Sequence, residues 1–195
     1  MGKQALDTGL LDRAIILAVR AHAGQERRGK GFPYVVHPLE AVAIVATMTA
    51  DQELLAAAAL HDTVEDTALT LEDIRAGFGD RVASLVETES DIVVEGMSRR
   101  DSWFIRKQAA VARLAAASRD AKIVALGDKL SNMRAIARDH AGQGDAMWSR
   151  FHVGDPAAHA WYYRALADAL RELEDTFAFR EFEQRIKQVF GYERH

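Results

Sequence analysis

The chain contains no cysteine among its 195 residues. That absence excludes disulfides, zinc–thiolate sites and thiol catalysis, and it fits a reducing compartment. Proline is nearly as scarce, with three residues, so little interrupts helical backbone. No apolar run approaches the ~20 residues of a membrane span. The start, Met1-Gly2-Lys3-Gln4, passes directly into an amphipathic segment with Asp7, Asp12, Arg13 and Arg20, without the apolar core of a signal peptide. Charge of one sign is also lacking. A formal net charge of −4 argues against a general nucleic-acid binder. It leaves room for an anionic small molecule, because local charge decides that contact. The absences together lead to the expectation of a cytoplasmic protein that engages neither membrane nor nucleic acid.

What is present reads as all-α. Alanine is plentiful and the β-branched residues do not alternate in strand fashion. A single domain over 1–195 is expected, and at this size about 70% of the unfolded chain's surface can be buried. Leu10, Leu11, Ala14, Ile15, Leu17, Ala18 and Ala21 carry a helical period over 7–24. A glycine-broken polar loop, 24–36, leads to Pro38, placed as the first residue of a second helix over 38–49. A third helix is expected over 51–63. Thr70-Leu71-Glu72-Asp73 has the spacing of a capping box before a short helix that stops at Gly77-Phe78-Gly79. Further helices are expected over 80–90, 102–117 and 121–139, then one bearing Trp161 to Leu173, and a last one over 180–190. Residues 91–101 and 142–155 read as loops.

The chemistry concentrates in His61-Asp62-Thr63-Val64-Glu65-Asp66, after the apolar run Leu54 to Leu60. On a helix, residues 61, 62, 65 and 66 fall within roughly 140° of the circumference. Three carboxylates so close repel one another, and a divalent cation offsets them. His37 before Pro38, and Asp128 in the apolar run Ile123 to Leu130, complete an N₂O₂ donor set with His61 and Asp62. That set suits Mn²⁺, Fe²⁺ or Zn²⁺. Glu65 and Asp66 then orient and deprotonate a water, and Asn132, four residues after Asp128, shares its face. Each member taken singly has a blander reading. His37 is a cap or surface residue, Asp128 pairs with Arg134 or Lys129, and Glu65-Asp66 is an ordinary acidic helix end. The combination carries the case.

The flanks suggest a nucleotide. Arg27, Arg28 and Lys30 crowd one loop beside His37, and guanidinium groups stack on purines and bind phosphate. Of the consecutive Trp161, Tyr162 and Tyr163, one or two belong to a core and Tyr163 is taken to present its hydroxyl to a pocket. Phe32 and Tyr34 are ambiguous. Trp148, Phe151 and His152 either cover the site or pack on the surface. Arg106 and Lys107 are assigned to a charged helix face rather than to phosphates.

Several of these segments together resemble a known family. His37-Pro38-Leu39, the run Ala58 to Thr67 with its HDTVEDT core, Phe78-Gly79, and Gly127-Asp128-Lys129-Leu130-Ser131-Asn132-Met133-Arg134 are similar to the HD-superfamily hydrolase domain of RelA/SpoT-type enzymes. The resemblance covers about residues 10–175, and at this length the chain resembles a small alarmone hydrolase, with no synthetase domain expected to follow. It implies an HD-domain bundle of about eight to ten helices with its core over about 10–175, the 180–190 helix following as a C-terminal element. It implies one Mn²⁺, with Fe²⁺ or Zn²⁺ as alternatives, held by His37, His61, Asp62 and Asp128. Glu65 and Asp66 match the water-activating pair, Asn132 a substrate-side residue and Arg28 an arginine on the guanine base. The implied reaction removes the 3′-pyrophosphate of ppGpp or pppGpp, giving GDP or GTP. The family loop reads Arg-Lys-x-Gly-x-Pro-Tyr, whereas here it reads Arg28-Gly29-Lys30-Gly31-Phe32-Pro33-Tyr34, with the lysine displaced. That keeps two other readings open: a hydrolase of an adenine alarmone or a nucleotide 3′- or 2′-phosphate, and a nucleotide-binding module without turnover. A monomer and a homodimer are both compatible with the sequence.

Overall fold

The computed structural model describes residues 7–27 and 29–191. Among them, backbone folds into helices and forms no strand, with only an isolated bridge between Glu26 and Pro33. The helices are α1 (Gly9–Ala21), α2 (Val36–Val45), α3 (Gln52–Leu60), α4 (Thr63–Asp66), α5 (Leu71–Phe78), α6 (Asp80–Glu89), α7 (Trp103–Ala115), α8 (Arg119–Gln143), α9 (Pro156–Ala169) and α10 (Phe177–Phe190). Short 3-10 segments, Gly144–Arg150 and Arg171–Leu173, join the last three. No helix of the described residues is long and apolar enough to cross a membrane.

Side-chain caps fix the starts of α3, α5, α8, α9 and α10. Asp51 accepts from the Glu53 amide at 2.9 Å, Asp155 from Ala157 at 2.9 Å and Thr176 from Phe179 at 3.1 Å. Such caps stabilise a helix by about 1 kcal/mol each. The capping box expected at Thr70 and Asp73 is formed in both directions. Thr176 also explains why the last helix begins at Phe177 rather than near 180.

The long helix α8 is the axis of the bundle. It packs against α2, α3 and α10, and it buries Ile123, Val124, Leu126, Leu130, Met133 and Ile136. Every residue of α3 from Leu54 to Leu60 is buried as well, between α1, α2, α6 and α8. Helices α7 and α9 pack on each other and close the remaining side.

The third helix departs from expectation. It ends at Leu60, and a separate turn, α4, starts at Thr63. The Thr63 hydroxyl donates to the Leu60 carbonyl at 2.7 Å, and the His61 ring lies 2.8 Å from the Ala58 carbonyl. Side chains that take carbonyls in this way compete with the helical backbone. His61 and Asp62 therefore sit at a break, not on a helix face. Pro38 lies inside the first turn of α2 rather than at its first position, still where a missing N–H leaves no intrahelical bond unmade. Residues 142–155 are partly 3-10 helix rather than wholly loop.

Gly127 sets the approach of α2 to α8. A Cβ there would lie 2.6 Å from the Val45 Cγ2 and 3.0 Å from the Ala41 carbonyl oxygen. The missing side chain thus brings the His37 end of α2 close to Asp128. Gly127→Ala is expected to lower unfolding free energy by about 1–3 kcal/mol through overpacking. Adding Val45→Ala should return part of the loss in denaturant titrations, since the Ala41 carbonyl contact remains; an unperturbed midpoint for Gly127→Ala would refute the close-approach account.

Candidate active site

Four donors from three stretches of chain meet at one point. His37 Nε2 lies 3.3 Å from His61 Nε2. Asp128 Oδ1 is 3.0 Å from His37 Nε2 and 3.5 Å from His61 Nε2. Asp62 Oδ2 is 3.0 Å from His61 Nε2 and 3.4 Å from His37 Nε2. His37, His61 and Asp128 are buried, and each places a donor atom within 4.8 Å of the others. Asp62 is less enclosed.

The outer ring nitrogens are both engaged. His61 Nδ1 faces the Ala58 carbonyl, which can only accept, so the neutral ring carries its hydrogen there. His37 Nδ1 lies 2.8 Å from the Ser131 hydroxyl oxygen. Both Nε2 atoms therefore turn to the shared centre. Two imidazole nitrogens and two carboxylates, aimed at one point in a buried place, fit a divalent cation by chemistry and by convergence.

Electrostatics follow from that crowding. Burial pulls the His37 imidazole below its ordinary value against the opposing pull of Asp128 and Asp62. Burial acts likewise on His61, but Asp62 and Asp128 outweigh it and hold that ring well above the ordinary range. Burial would raise the Asp128 carboxyl, yet Lys129 and the two histidines hold it well below the usual carboxylate range. Asp62 is lowered in the same way, chiefly by His61. Asp128 pairs with Lys129 through Oδ2 at 2.5 Å and still faces the histidines with Oδ1. Arg134 pairs elsewhere, with Glu40 and Glu181.

A cavity of about 350 Å³ opens over this centre, and Glu65, Asp66, Asn132 and Tyr163 all line it. Glu65 accepts from Arg99 at 2.9 Å, and the Gln25 side-chain amide donates to the Asp66 carbonyl at 2.8 Å. Asn132 links two groups: it donates to Asp128 at 2.5 Å and accepts from Arg27 at 2.6 Å. The Arg27 guanidinium lies 5.3 Å from the Tyr34 ring centroid. An adjoining cavity of about 260 Å³ is bordered by Arg27, Lys30, Tyr34, Ile136 and Tyr163. Lys30 does not reach the centre: its ammonium is held, with Arg150, by Asp139. Arg28 lies outside the described residues. Burial raises the Tyr163 hydroxyl.

The remaining candidates divide between core and cavity. Tyr162 and Tyr163 are buried, whereas Trp161 is half-buried and stacks against Phe104. Trp148 is core, packed on His159 and Phe190, but Phe151 and His152 line the cavity. Arg106 and Lys107 do not form an outer charged face. Both line the cavity and hold Asp91, and Arg106 is buried and also donates to the Arg99 carbonyl at 2.9 Å. The carboxylate that turns them inward lies in a loop with no local signature. Tyr34 was ambiguous in sequence; its hydroxyl donates to Asp62 Oδ2 at 2.6 Å. Its place three residues before His37 was the available signal.

A family model described as HD domain matches residues 14–153. The chain belongs to the HD-domain family. Among relatives of this HD-domain chain, a probable GTP pyrophosphokinase of Mycobacterium leprae (strain TN) is 37% identical over 192 residues, 93% of this chain and 23% of that protein. A guanosine-3′,5′-bis(diphosphate) 3′-pyrophosphohydrolase of Aquifex aeolicus (strain VF5) is 34% identical over 128 residues, 65% of this chain and 18% of that protein. The chain thus spans less than a quarter of the length of either relative. A solved structure of a metazoan ortholog of SpoT, described as hydrolysing ppGpp, superposes with a TM-score of 0.76 at 24% identity over 97% of this chain and 100% of that one. That likeness establishes the shared fold. A crystal structure from Listeria monocytogenes EGD-e gives 0.70 at 29% identity, over 83% and 98% of the two chains.

Asp91 offers a test of the cavity wall in this HD domain. Burial raises its carboxyl, but Lys107 and Arg106 outweigh that and hold it below the ordinary value. Stability from a lowered carboxyl is present above the unfolded-state pKa and is lost as pH falls through the folded one. Asp91→Asn is therefore expected to cost about 1.5–3 kcal/mol at pH 7. The gap to wild type should shrink below about pH 4, read by denaturant unfolding across pH; a gap independent of pH would refute the assignment.

Proposed function

We propose that this chain hydrolyses the 3′-pyrophosphate bond of ppGpp and pppGpp, releasing GDP or GTP and pyrophosphate. The convergence of His37, His61, Asp62 and Asp128 at the base of a cavity lined by charges of both signs carries the reading. The names of the Aquifex and metazoan relatives support the substrate.

The four residues are proposed to hold one Mn²⁺, with Fe²⁺ or Zn²⁺ fitting the same donors. A divalent cation held there supplies Lewis acidity, polarising a phosphoryl oxygen and acidifying water. Glu65 and Asp66 orient the attacking water and take its proton, and Arg99 holds the Glu65 carboxylate in place. Tyr34 steadies Asp62, and Asn132 relays Arg27 to Asp128, so a phosphate drawn to Arg27 lies beside the metal ligands. Arg27, Arg28, Asn132 and Tyr163 are the proposed substrate contacts, whereas Lys30 is held by Asp139. Arg106 and Lys107, already facing the cavity, meet further phosphates. The substrate is a free nucleotide in the cytoplasm, bound by a monomer or homodimer.

The Lys30–Asp139 pairing favours one competing reading. A lysine tied to a carboxylate does not contact the base, so another phosphorylated nucleotide, such as an adenine alarmone, fits if purine choice rests on that lysine.

Mn²⁺-loaded protein incubated with ppGpp is expected to yield GDP and pyrophosphate by ion-exchange chromatography, with the adenine counterpart turned over more slowly. Neither product appearing, or tight ppGpp binding without turnover, would sink the proposal. Glu65→Gln and Asp66→Asn should each lower kcat by about 10²–10⁴-fold while circular dichroism and bound metal stay at wild-type levels. A variant near wild-type rate removes that residue from the water-activating role.

A further inference from the structure

Three residues outside the donor set lie in line behind His37. Glu40 follows His37 by three positions on α2, Ser131 follows Asp128 by three on α8, and Arg134 follows Ser131 by three. That spacing keeps each on the same side of its helix as the residue it follows. Ser131, fully buried, places its hydroxyl oxygen 2.8 Å from His37 Nδ1 and 2.8 Å from Glu40 Oε2.

A hydroxyl has one hydrogen, and a carboxylate can only accept. The Ser131 hydrogen therefore goes to Glu40. Its oxygen is left to accept, so the neutral His37 ring carries its hydrogen on Nδ1. His37 Nε2 is then a bare lone pair at the centre, as a metal ligand requires. The line continues outward. Arg134 Nη1 donates to Glu40 Oε1 at 3.3 Å, and Glu181 of α10 grips Arg134 through two bonds of 2.9 and 2.6 Å.

The two histidines are thus set by different means. His61 is fixed by a backbone carbonyl, which no substitution removes. His37 is fixed by side chains whose hydrogen-bond direction depends on Glu40. We propose that Ser131 and Glu40 are positioning residues for the metal centre, holding His37 in its ligating tautomer, and that Arg134 and Glu181 tie this relay to the last helix. The inference rests on the metal reading above.

Without Glu40, the Ser131 hydroxyl turns its hydrogen to His37 Nδ1, which then accepts and moves the ring hydrogen to Nε2, facing the site. Glu40 touches none of the four donors, so a merely structural role gives it no specific effect on metal affinity. A Gln at 40 keeps an oxygen that accepts from Ser131, and so keeps the direction of the relay.

Mn²⁺ binding to the full chain, read by electron paramagnetic resonance of free Mn²⁺ together with calorimetry, separates the possibilities. Ser131→Ala and Glu40→Ala are each expected to raise the dissociation constant about 10–100-fold. Glu40→Gln should stay within a few-fold of wild type, and Glu181→Ala should produce a smaller rise than Glu40→Ala. Should Ser131→Ala not fold, the partly exposed Glu40 still decides the matter. Equal affinity in wild type and Glu40→Ala, or equal loss in Glu40→Gln and Glu40→Ala, overturns the relay and leaves the metal reading standing. Wild-type protein that binds no Mn²⁺, Fe²⁺ or Zn²⁺ overturns both.

Discussion

Two imidazole nitrogens 3.3 Å apart, flanked by two carboxylates, are the constraint around which the rest of the structure is organised. Such a group is costly to bury, and it persists because each member is held from behind. A backbone carbonyl holds His61, a hydroxyl holds His37, Lys129 holds Asp128 and Tyr34 holds Asp62. Packing supplies the first condition for this arrangement. Helices α2 and α8 reach contact because residue 127 has no side chain, and that contact sets His37 against Asp128. The break between α3 and α4 supplies the second, turning His61 and Asp62 inward from a helix end.

The cavity above is charged on both signs, and its charges are paired before any ligand arrives. Arg99 meets Glu65, Arg106 and Lys107 meet Asp91, and Lys129 meets Asp128 and Glu89. Pairing lets so many cations face a single cavity in a chain of net charge −4. It also holds side chains in place, which lessens the ordering cost when an anion binds. The wall thus carries basic side chains at Arg27, Arg99, Arg106 and Lys107, although the bulk composition shows no basic bias.

The comparisons and the geometry agree at different levels. Membership of the HD-domain family rests on the match over residues 14–153, and the fold on superposition over nearly the whole chain. Chemistry at the centre rests on the side chains themselves. The choice of a guanine nucleotide is a proposal drawn from relatives far longer than this chain, and the Lys30–Asp139 pairing is the local feature that bears on it most directly.

Much of this was legible in the residue order. An all-helical chain, the capping box at Thr70, and His37, His61, Asp62 and Asp128 as a set could be read because helical period, cap spacing and ligand chemistry are local properties. The helix break at His61 was not legible, because it depends on side chains capturing carbonyls that a periodic pattern assigns to the backbone. Nor was the inward turn of Arg106 and Lys107, since their partner Asp91 lies in a loop with no period. The relay from Glu181 through Arg134, Glu40 and Ser131 joins three helices distant in sequence. Local order fixed which donors the chain carries. Only helix packing decided which of them meet, because contacts between remote segments follow from volumes and close approaches that no short stretch of sequence contains.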